Sequence, residues 1–299
     1  MKVSDILDDS DTTRFSLEVY PPKVVSGEKT PIQFQLSKIF ETVERLLKYN
    51  PAFVSVTYNP EGKTKETSIP LAAIIRQRFK VETVAHLTCI ATTREDLSKT
   101  LDVIDYFGIK NILALRGDIP KGLKSNNNEL IYASDLVGEI VMHKSNTGIG
   151  VACYPEGHVE CLNQKGERDL DRDLLNFKLK VEKGADFAVT QLFFENRLYF
   201  DFVEKARKIG IDVPIVPGIF PIFNYRNIQA IAQLSGASIS GPLRRKIRKN
   251  IKDPLEIKSI GIEHAVGQCK ELLDKVPCIH FYTMDKWESV EAIIKALGY

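Results

Sequence analysis

Phe15, Leu17 and Val19 alternate with Ser16, Glu18 and Tyr20, the two-residue period of a strand that buries one face. Pro21 and Pro22 end it. Over 34–48 the apolar positions change rhythm, with Leu36, Ile39, Phe40, Val43, Leu46 and Leu47 at helical spacing, up to Asn50-Pro51. Short apolar runs and amphipathic stretches then take turns along the rest of the chain. Further strands are predicted at 53–58, 82–88, 112–115, 149–154, 187–194, 214–220 and 279–284. Helices are predicted near 69–79, 92–107, 132–143, 173–183, 196–209, 224–234, 242–251 and 255–275, with a last one ending near 297. Thr92 and Glu95 have the spacing of a capping box, and Gly108 closes the helix they open. Residues 1–13 read as a polar lead-in ahead of the core, and 59–67 and 121–130 as polar loops.

Strands that alternate with helices make a parallel sheet. The count of eight points to a closed (β/α)8 TIM-type barrel, a single domain over 1–299. A doubly wound open sheet is the alternative. It is weakened because no strand runs into G-x-G-x-x-G.

Composition narrows the function classes. The 299 residues are 43% hydrophobic and 27% charged with a net charge of +2, which is ordinary for a globular protein and argues against bulk nucleic-acid binding. The basic run at 241–252 lacks interleaved aromatics. No apolar run approaches the ~20 residues of a membrane span, and the first residues lack a signal-type apolar core, so a cytoplasmic protein is expected. None of the five cysteines forms a CxxC pair, so reduced thiols and no metal site are expected.

In such a barrel, chemistry collects at the C-terminal ends of the strands. The predicted ends carry Glu18, Thr57 and Tyr58, His86, Arg116 and Asp118, Tyr154 with Glu156 and His158, Gln191 and Tyr282. Glu18 interrupts an apolar strand on the face opposite Phe15, Leu17 and Val19. It therefore points into the barrel mouth, where burial would raise its pKa and suit it to general acid catalysis. A structural ion pair is the competing reading. His86 could be a base, a ligand-contacting donor or a satisfied core histidine, and taken alone it reads first as the last of these. In Asn111–Pro120, a buried strand runs into Arg116-Gly117-Asp118, either a phosphate grip on a close turn or a surface Arg–Asp pair. Asp173, Asn176 and Lys180 share one helix face, either solvated or laid against a polar cofactor tail.

The segments FSLEVYPPK, FVSVTYNPEG, VAHLTCI, ILALRGDIP, VACYPEGH, DLLNFKLKVEKGADFAVTQLFF, PIVPGIFP and HFYTM together resemble the 5,10-methylenetetrahydrofolate reductase family, in its compact catalytic-domain form. The resemblance implies a barrel that holds FAD at its C-terminal face. A reduced nicotinamide nucleotide, NADH or NADPH, would give hydride to the flavin and be replaced by the folate substrate. Hydride would then pass to the one-carbon unit, giving 5-methyltetrahydrofolate. It further implies Glu18 as the catalytic acid and Asp118 as a group near both pterin and flavin. Thr57, Tyr58, His86, Arg116, Gly117, Asp118, Ala133, Tyr154, His158, Asp173, Asn176 and Lys180 become FAD contacts, and Gln191, Tyr282 and Lys286 join Asp118 as substrate contacts. A homo-oligomer is implied, with no nucleic-acid or membrane partner. The chain departs from the family at Lys286, where many members carry arginine, at Leu179, where some are basic, and at Ile231, where some are aromatic. Those departures leave the electron donor open among NADH, NADPH and a partner protein. The alternatives are a barrel flavoenzyme of proline dehydrogenase type and a folate- or flavin-binding subunit of a larger redox complex.

Overall fold

The structure is a computed structural model that describes residues 1–9, 12–22, 30–58, 65–90, 92–118, 129–143 and 146–299. In chain order its elements are α1 (Val3–Asp8), β1 (Arg14–Val19), α2 (Ile32–Leu47), β2 (Val54–Val56), α3 (Lys65–Phe79), β3 (Thr83–Thr88), α4 (Arg94–Tyr106), β4 (Asn111–Leu115), α5 (Ala133–His143), β5 (Gly148–Cys153) and α6 (Leu170–Glu182). There follow β6 (Phe187–Thr190), α7 (Asn196–Lys208), β7 (Ile215–Val216), β8 (Gly218–Ile219), α8 (Tyr225–Ser235), α9 (Gly241–Lys249), α10 (Pro254–Leu272), β9 (Cys278–Tyr282) and α11 (Trp287–Ala296). The polar loops predicted at 59–67 and 121–130 lie largely outside the described residues.

Among the described residues all pairings between these strands are parallel, in the order β7-β6-β5-β4-β3-β2-β1-β9-β8. The strand predicted at 214–220 is divided in two. β7 pairs with β6 and β8 with β9, and between them Pro217 accepts the His280 N–H at 2.9 Å. Proline brings no N–H to either ladder, so the chain changes partners there and draws the sheet round into a barrel. Gly218 permits the crossing. A Cβ on it would lie 2.6 Å from both the Thr190 carbonyl oxygen and Tyr282 Cε2.

Phe15, Leu17 and Val19 pack outward against the helices in the main core, as their alternation predicts. Phe53, Val84, Leu113, Phe187, Val189, Val216 and Cys278 form a second buried cluster with Val3, Ile6 and Leu7. The lead-in at 1–13 is therefore corrected. α1 brings three apolar side chains into that inner cluster, and the Val3 N–H donates to Asn111 Oδ1 at 2.8 Å while Asn111 Nδ2 returns a bond to the Met1 carbonyl at 3.0 Å. Three apolar residues among polar ones were too few for periodicity to register. The predicted capping box is replaced by a single cap one residue later. Thr93, not Thr92, caps α4, its hydroxyl accepting the Asp96 N–H at 3.1 Å.

Candidate active site

Two neighbouring features lie at the C-terminal ends of the strands. One is a cleft of about 410 Å³ between β4, β5, α5 and α6. Seven of the residues expected at a cofactor line it: Arg116, Ala133, Tyr154, His158, Asp173, Asn176 and Lys180. α6 places the last three, and its N-cap is Asp169, whose side chain accepts the Arg172 N–H. The helix starts three residues earlier than the pattern predicted, because Asp169 rather than Asp173 caps it. Asp173 is buried and accepts the His158 N–H at 3.2 Å. Burial raises its carboxyl above the usual range, while Lys180 and that N–H pull it back. Burial likewise lowers the Lys180 ammonium, which Cys153 and Asp173 partly restore. Lys180 Nζ donates to the Ala152 carbonyl at 2.6 Å, fixing a cation in the cleft wall. Tyr154 meets His158 edge-on, 4.6 Å between centroids.

Arg116 closes one side of the cleft. It is ion-paired with Glu160, another lining residue, and not with Asp118. Asp118 is exposed at the end of β4, and its charge bears on Tyr154 and His158. Gly117 between them has φ +84°, and a Cβ there would lie 2.9 Å from Ile90 Cγ2 and 3.0 Å from Thr88 Cβ. The close approach that this glycine allows is thus to the end of β3, where the Ile90 N–H donates to the Arg116 carbonyl at 2.9 Å.

The second feature is the barrel mouth around Glu18. Its side chain is buried, with Glu18 Oε2 3.8 Å from His86 Nε2 and 4.0 Å from His280 Nε2. Behind His280, Ser16 Oγ lies 2.8 Å from Nδ1, the Cys278 thiol donates to Ser16 Oγ, and Phe53 stacks on the imidazole. If the thiol donates to Ser16, the Ser16 hydroxyl is free to donate to Nδ1. The neutral ring then carries its proton on Nε2, facing Glu18. The expectation that burial raises the Glu18 pKa is corrected. Burial does push it up, but polar contact with His280, the two imidazoles and the Tyr20 hydroxyl together push harder, and the carboxyl sits below its ordinary value. Burial takes His86 down to about 4 despite the pull of Glu18, so it is neutral near pH 7.

The remaining predicted residues ring the mouth. Thr57 and Tyr58 follow β2, the Thr57 N–H donating to the Val19 carbonyl at 3.1 Å and the Tyr58 hydroxyl raised by burial to about 12. Gln191 Oε1 accepts the Leu192 N–H at 3.0 Å, and the Tyr282 hydroxyl donates to the Thr190 carbonyl at 2.6 Å. Lys286 is exposed, its ammonium 4.8 Å from the centre of the Phe223 ring. Four groups here were not anticipated: Tyr20, Glu160, His280 and Asp285. Tyr20 and His280 had a legible signal, since each lies two residues from a predicted inward residue, Glu18 or Tyr282, and so shares its face.

Fold and site together define a (β/α)8-barrel protein with a buried carboxyl at the mouth formed by its strand ends and a cation-bearing cleft beside it. The methylenetetrahydrofolate reductase family model matches residues 2–298, and the chain belongs to that family. It is 35% identical over 286 residues to the 5,10-methylenetetrahydrofolate reductase of Salmonella typhimurium, covering 95% of this chain and 90% of the relative. It is also 35% identical over 295 residues to methylenetetrahydrofolate reductase (NADH) 1 of Arabidopsis thaliana, covering 96% of this chain and 48% of the relative. A third, probable methylenetetrahydrofolate reductase (NADPH) of Caenorhabditis elegans, is 35% identical over 292 residues, 95% of this chain and 42% of the relative. The chain thus spans about half the length of these eukaryotic relatives. Among solved structures, a Clostridium thermocellum protein described as binding two copies of 5-methyl-5,6,7,8-tetrahydrofolic acid superposes with TM-score 0.61 at 14% identity, over 98% of this chain and 96% of that one. That likeness bears on fold alone. Among the described residues no helix is long and apolar enough to cross a membrane.

Proposed function

We propose that this protein reduces 5,10-methylenetetrahydrofolate to 5-methyltetrahydrofolate, with FAD as the resident hydride carrier and NADH or NADPH as the source. The observation that carries the reading is the buried Glu18 carboxylate at the mouth of a barrel whose chain belongs to the reductase family. Family membership leaves the proline dehydrogenase-type reading and the non-catalytic subunit reading without support of their own.

The donor set suits a flavin dinucleotide. The cleft offers three cations, Arg116, Arg172 and Lys180, for a pyrophosphate, and aromatic and carboxylate groups for the rest of the nucleotide. On the inner faces of β2 and β3, Ser55 Oγ, His86 Nε2 and Thr88 Oγ1 are buried polar atoms without a hydrogen-bond partner among the described residues, which is what a ligand with ring heteroatoms would satisfy. When bound, FAD supplies two-electron hydride chemistry. Arg116, Ala133, Tyr154, His158, Asp173, Asn176 and Lys180 would hold its nucleotide portion. Thr57, Tyr58, His86, Gly117 and Asp118 would hold its reactive end.

Opening the methylene bridge of the substrate requires a proton at the departing nitrogen, and Glu18 would deliver it. In the open mouth its carboxyl favours the ionised form. Filling the mouth with flat apolar rings removes water and moves the balance toward the neutral, proton-donating form. An ionised carboxylate at Asp118 favours the cationic character that develops on the opened one-carbon unit. Gln191 and Tyr282 would orient the pterin, and Lys286 would meet an anionic end of the folate as a point charge rather than a bidentate fork.

Anaerobic reconstitution tests the proposal. The purified protein should bind FAD and turn yellow. Its bound flavin should be bleached by NADH or NADPH and recoloured by 5,10-methylenetetrahydrofolate. A protein that takes up no flavin, or whose reduced flavin is indifferent to the folate, sinks the reading.

A further inference from the structure

β1 and β9 stay joined beyond their last paired residues. The ladder ends with Glu18 opposite Tyr282. Past it, side chains take over. Thr283 Oγ1 donates to the Glu18 carbonyl at 2.5 Å, the Asp285 N–H donates to Thr283 Oγ1 at 3.1 Å, and Asp285 Oδ1 accepts the Tyr20 N–H at 3.1 Å. The chain makes this turn with Met284 and Asp285 both at positive φ, +51° and +53°. Non-glycine residues seldom enter that region, though Asp enters it more readily than most. A turn of this kind persists only where surrounding contacts hold it. Here the side-chain contacts end on residues 18 and 20, the carbonyl of the acid and the amide two residues on.

Tyr20 shares the inward face of the chain with Glu18, and burial together with the neighbouring Glu18 charge pushes its hydroxyl well above the ordinary value. The other titratable groups facing that carboxylate are His86 from β3, His280 and Tyr282 from β9, and Asp285 itself. Tyr20 is therefore one of the few groups that set the behaviour of Glu18. Its peptide is fastened by Asp285 alone among the side-chain bonds of the described residues.

We propose that Asp285 is a positioning residue for the acid site: its carboxylate anchors the Tyr20 amide and so holds the Tyr20 hydroxyl against Glu18. The proposal rests on the reading of Glu18 as the acid, but the anchoring itself is a property of the protein without cofactor or substrate.

Three variants separate the anchor from a merely structural role. Asp285→Asn keeps an acceptor oxygen and tolerates the positive φ. Asp285→Gly relieves the turn and removes the oxygen, so it is expected to fold where alanine would strain the positive φ. Tyr20→Phe removes the hydroxyl directly. The readout is the midpoint at which the Glu18 carboxyl takes its proton, followed by infrared spectroscopy of the full chain as the carboxyl band absent from Glu18→Gln. The Tyr20 contact lowers that midpoint in the wild type. Both Asp285 variants remove a negative charge that is coupled to Glu18, so Asp285→Asn is the reference. Against it, Asp285→Gly should raise the midpoint by about half a pH unit or more. Tyr20→Phe should raise the midpoint over wild type, and in its presence Asp285→Gly and Asp285→Asn should agree. Equal midpoints in Asp285→Gly and Asp285→Asn overturn the proposal. So does a rise of Asp285→Gly over Asp285→Asn that persists when each is added to Tyr20→Phe, because the effect would not then run through Tyr20. The same order should appear as displacement of the pH profile of folate reduction. If the wild type reduces no methylenetetrahydrofolate, the functional reading fails while the infrared titration still decides the anchor.

Discussion

Arg116 takes Glu160 as its partner and leaves Asp118, two residues away, to solvent. Both members of the pair are partly exposed, at 25% and 52%. Such pairs contribute about 0–1 kcal/mol, so a phosphate can exchange for Glu160 at little cost. Glu160→Gln should therefore tighten FAD binding a few-fold, and Arg116→Ala should weaken it by about tenfold or more, charge-assisted bonds contributing roughly 1.5–3 kcal/mol. Quenching of flavin fluorescence on titration measures both. Weaker binding in Glu160→Gln would mean that Glu160 contacts the cofactor itself.

Glu18→Gln should reduce the rate of methylenetetrahydrofolate reduction by about 10²–10⁴-fold, the usual span for removing a general acid. Reduction of the flavin by nicotinamide nucleotide should be nearly untouched. Stopped-flow measurement of the two half-reactions separates them, and equal losses in both would count against the acid role. The same variant should lower the Asp285 carboxyl. Burial holds it up at about 6, helped by the Glu18 charge and opposed by the Tyr20 N–H. Carbon-13 shifts of labelled aspartate follow that titration.

His86 carries a pH dependence of stability. Its folded value of about 4 lies below the ordinary 6.5, so the unfolded chain takes the proton first as pH falls. The stability is fully present above about 6.5 and is lost progressively down to about 4. At pH 5 the loss from this group is on the order of 2 kcal/mol. Guanidinium unfolding at pH 7.5 and 5 should show a drop that is smaller by about this amount in His86→Gln, whose side chain does not titrate.

Leu7 tests the inner plug. It is 3% exposed among barrel-lining side chains, and Leu7→Ala should destabilise by about 2–4 kcal/mol through the cavity it leaves. Ile32→Ala, at a position 46% exposed, should change stability by less than about 0.5 kcal/mol. Urea midpoints compare the two directly.

The outer half of the barrel was legible because each outward strand face is apolar and continuous. Phe15, Leu17 and Val19 told which way Glu18 points before any coordinates did. The cleft was legible for a different reason, since Asp173, Asn176 and Lys180 are brought together by helical spacing alone. What stayed hidden depends on contacts between distant segments. His280 sits inside an apolar run, and nothing nearby in sequence announces that Ser16 and Glu18 flank it. The divided strand at Pro217 follows from a change of partner, which periodicity does not record. The sign of the Glu18 shift was missed because burial was weighed without the imidazoles and hydroxyl that burial brings along.

The pairing of β1 with β9 has a consequence for how the protein is made. Glu18 and Tyr282 face each other across 264 residues of chain. During synthesis Glu18 emerges well ahead of its partners His280, Tyr282 and Asp285, which arrive only with β9 and the turn after it. Earlier strands can pair with their neighbours while translation proceeds, but the seam is the longest loop the chain must close. The surroundings of Glu18 are thereby incomplete in any form in which β9 has not yet docked against β1.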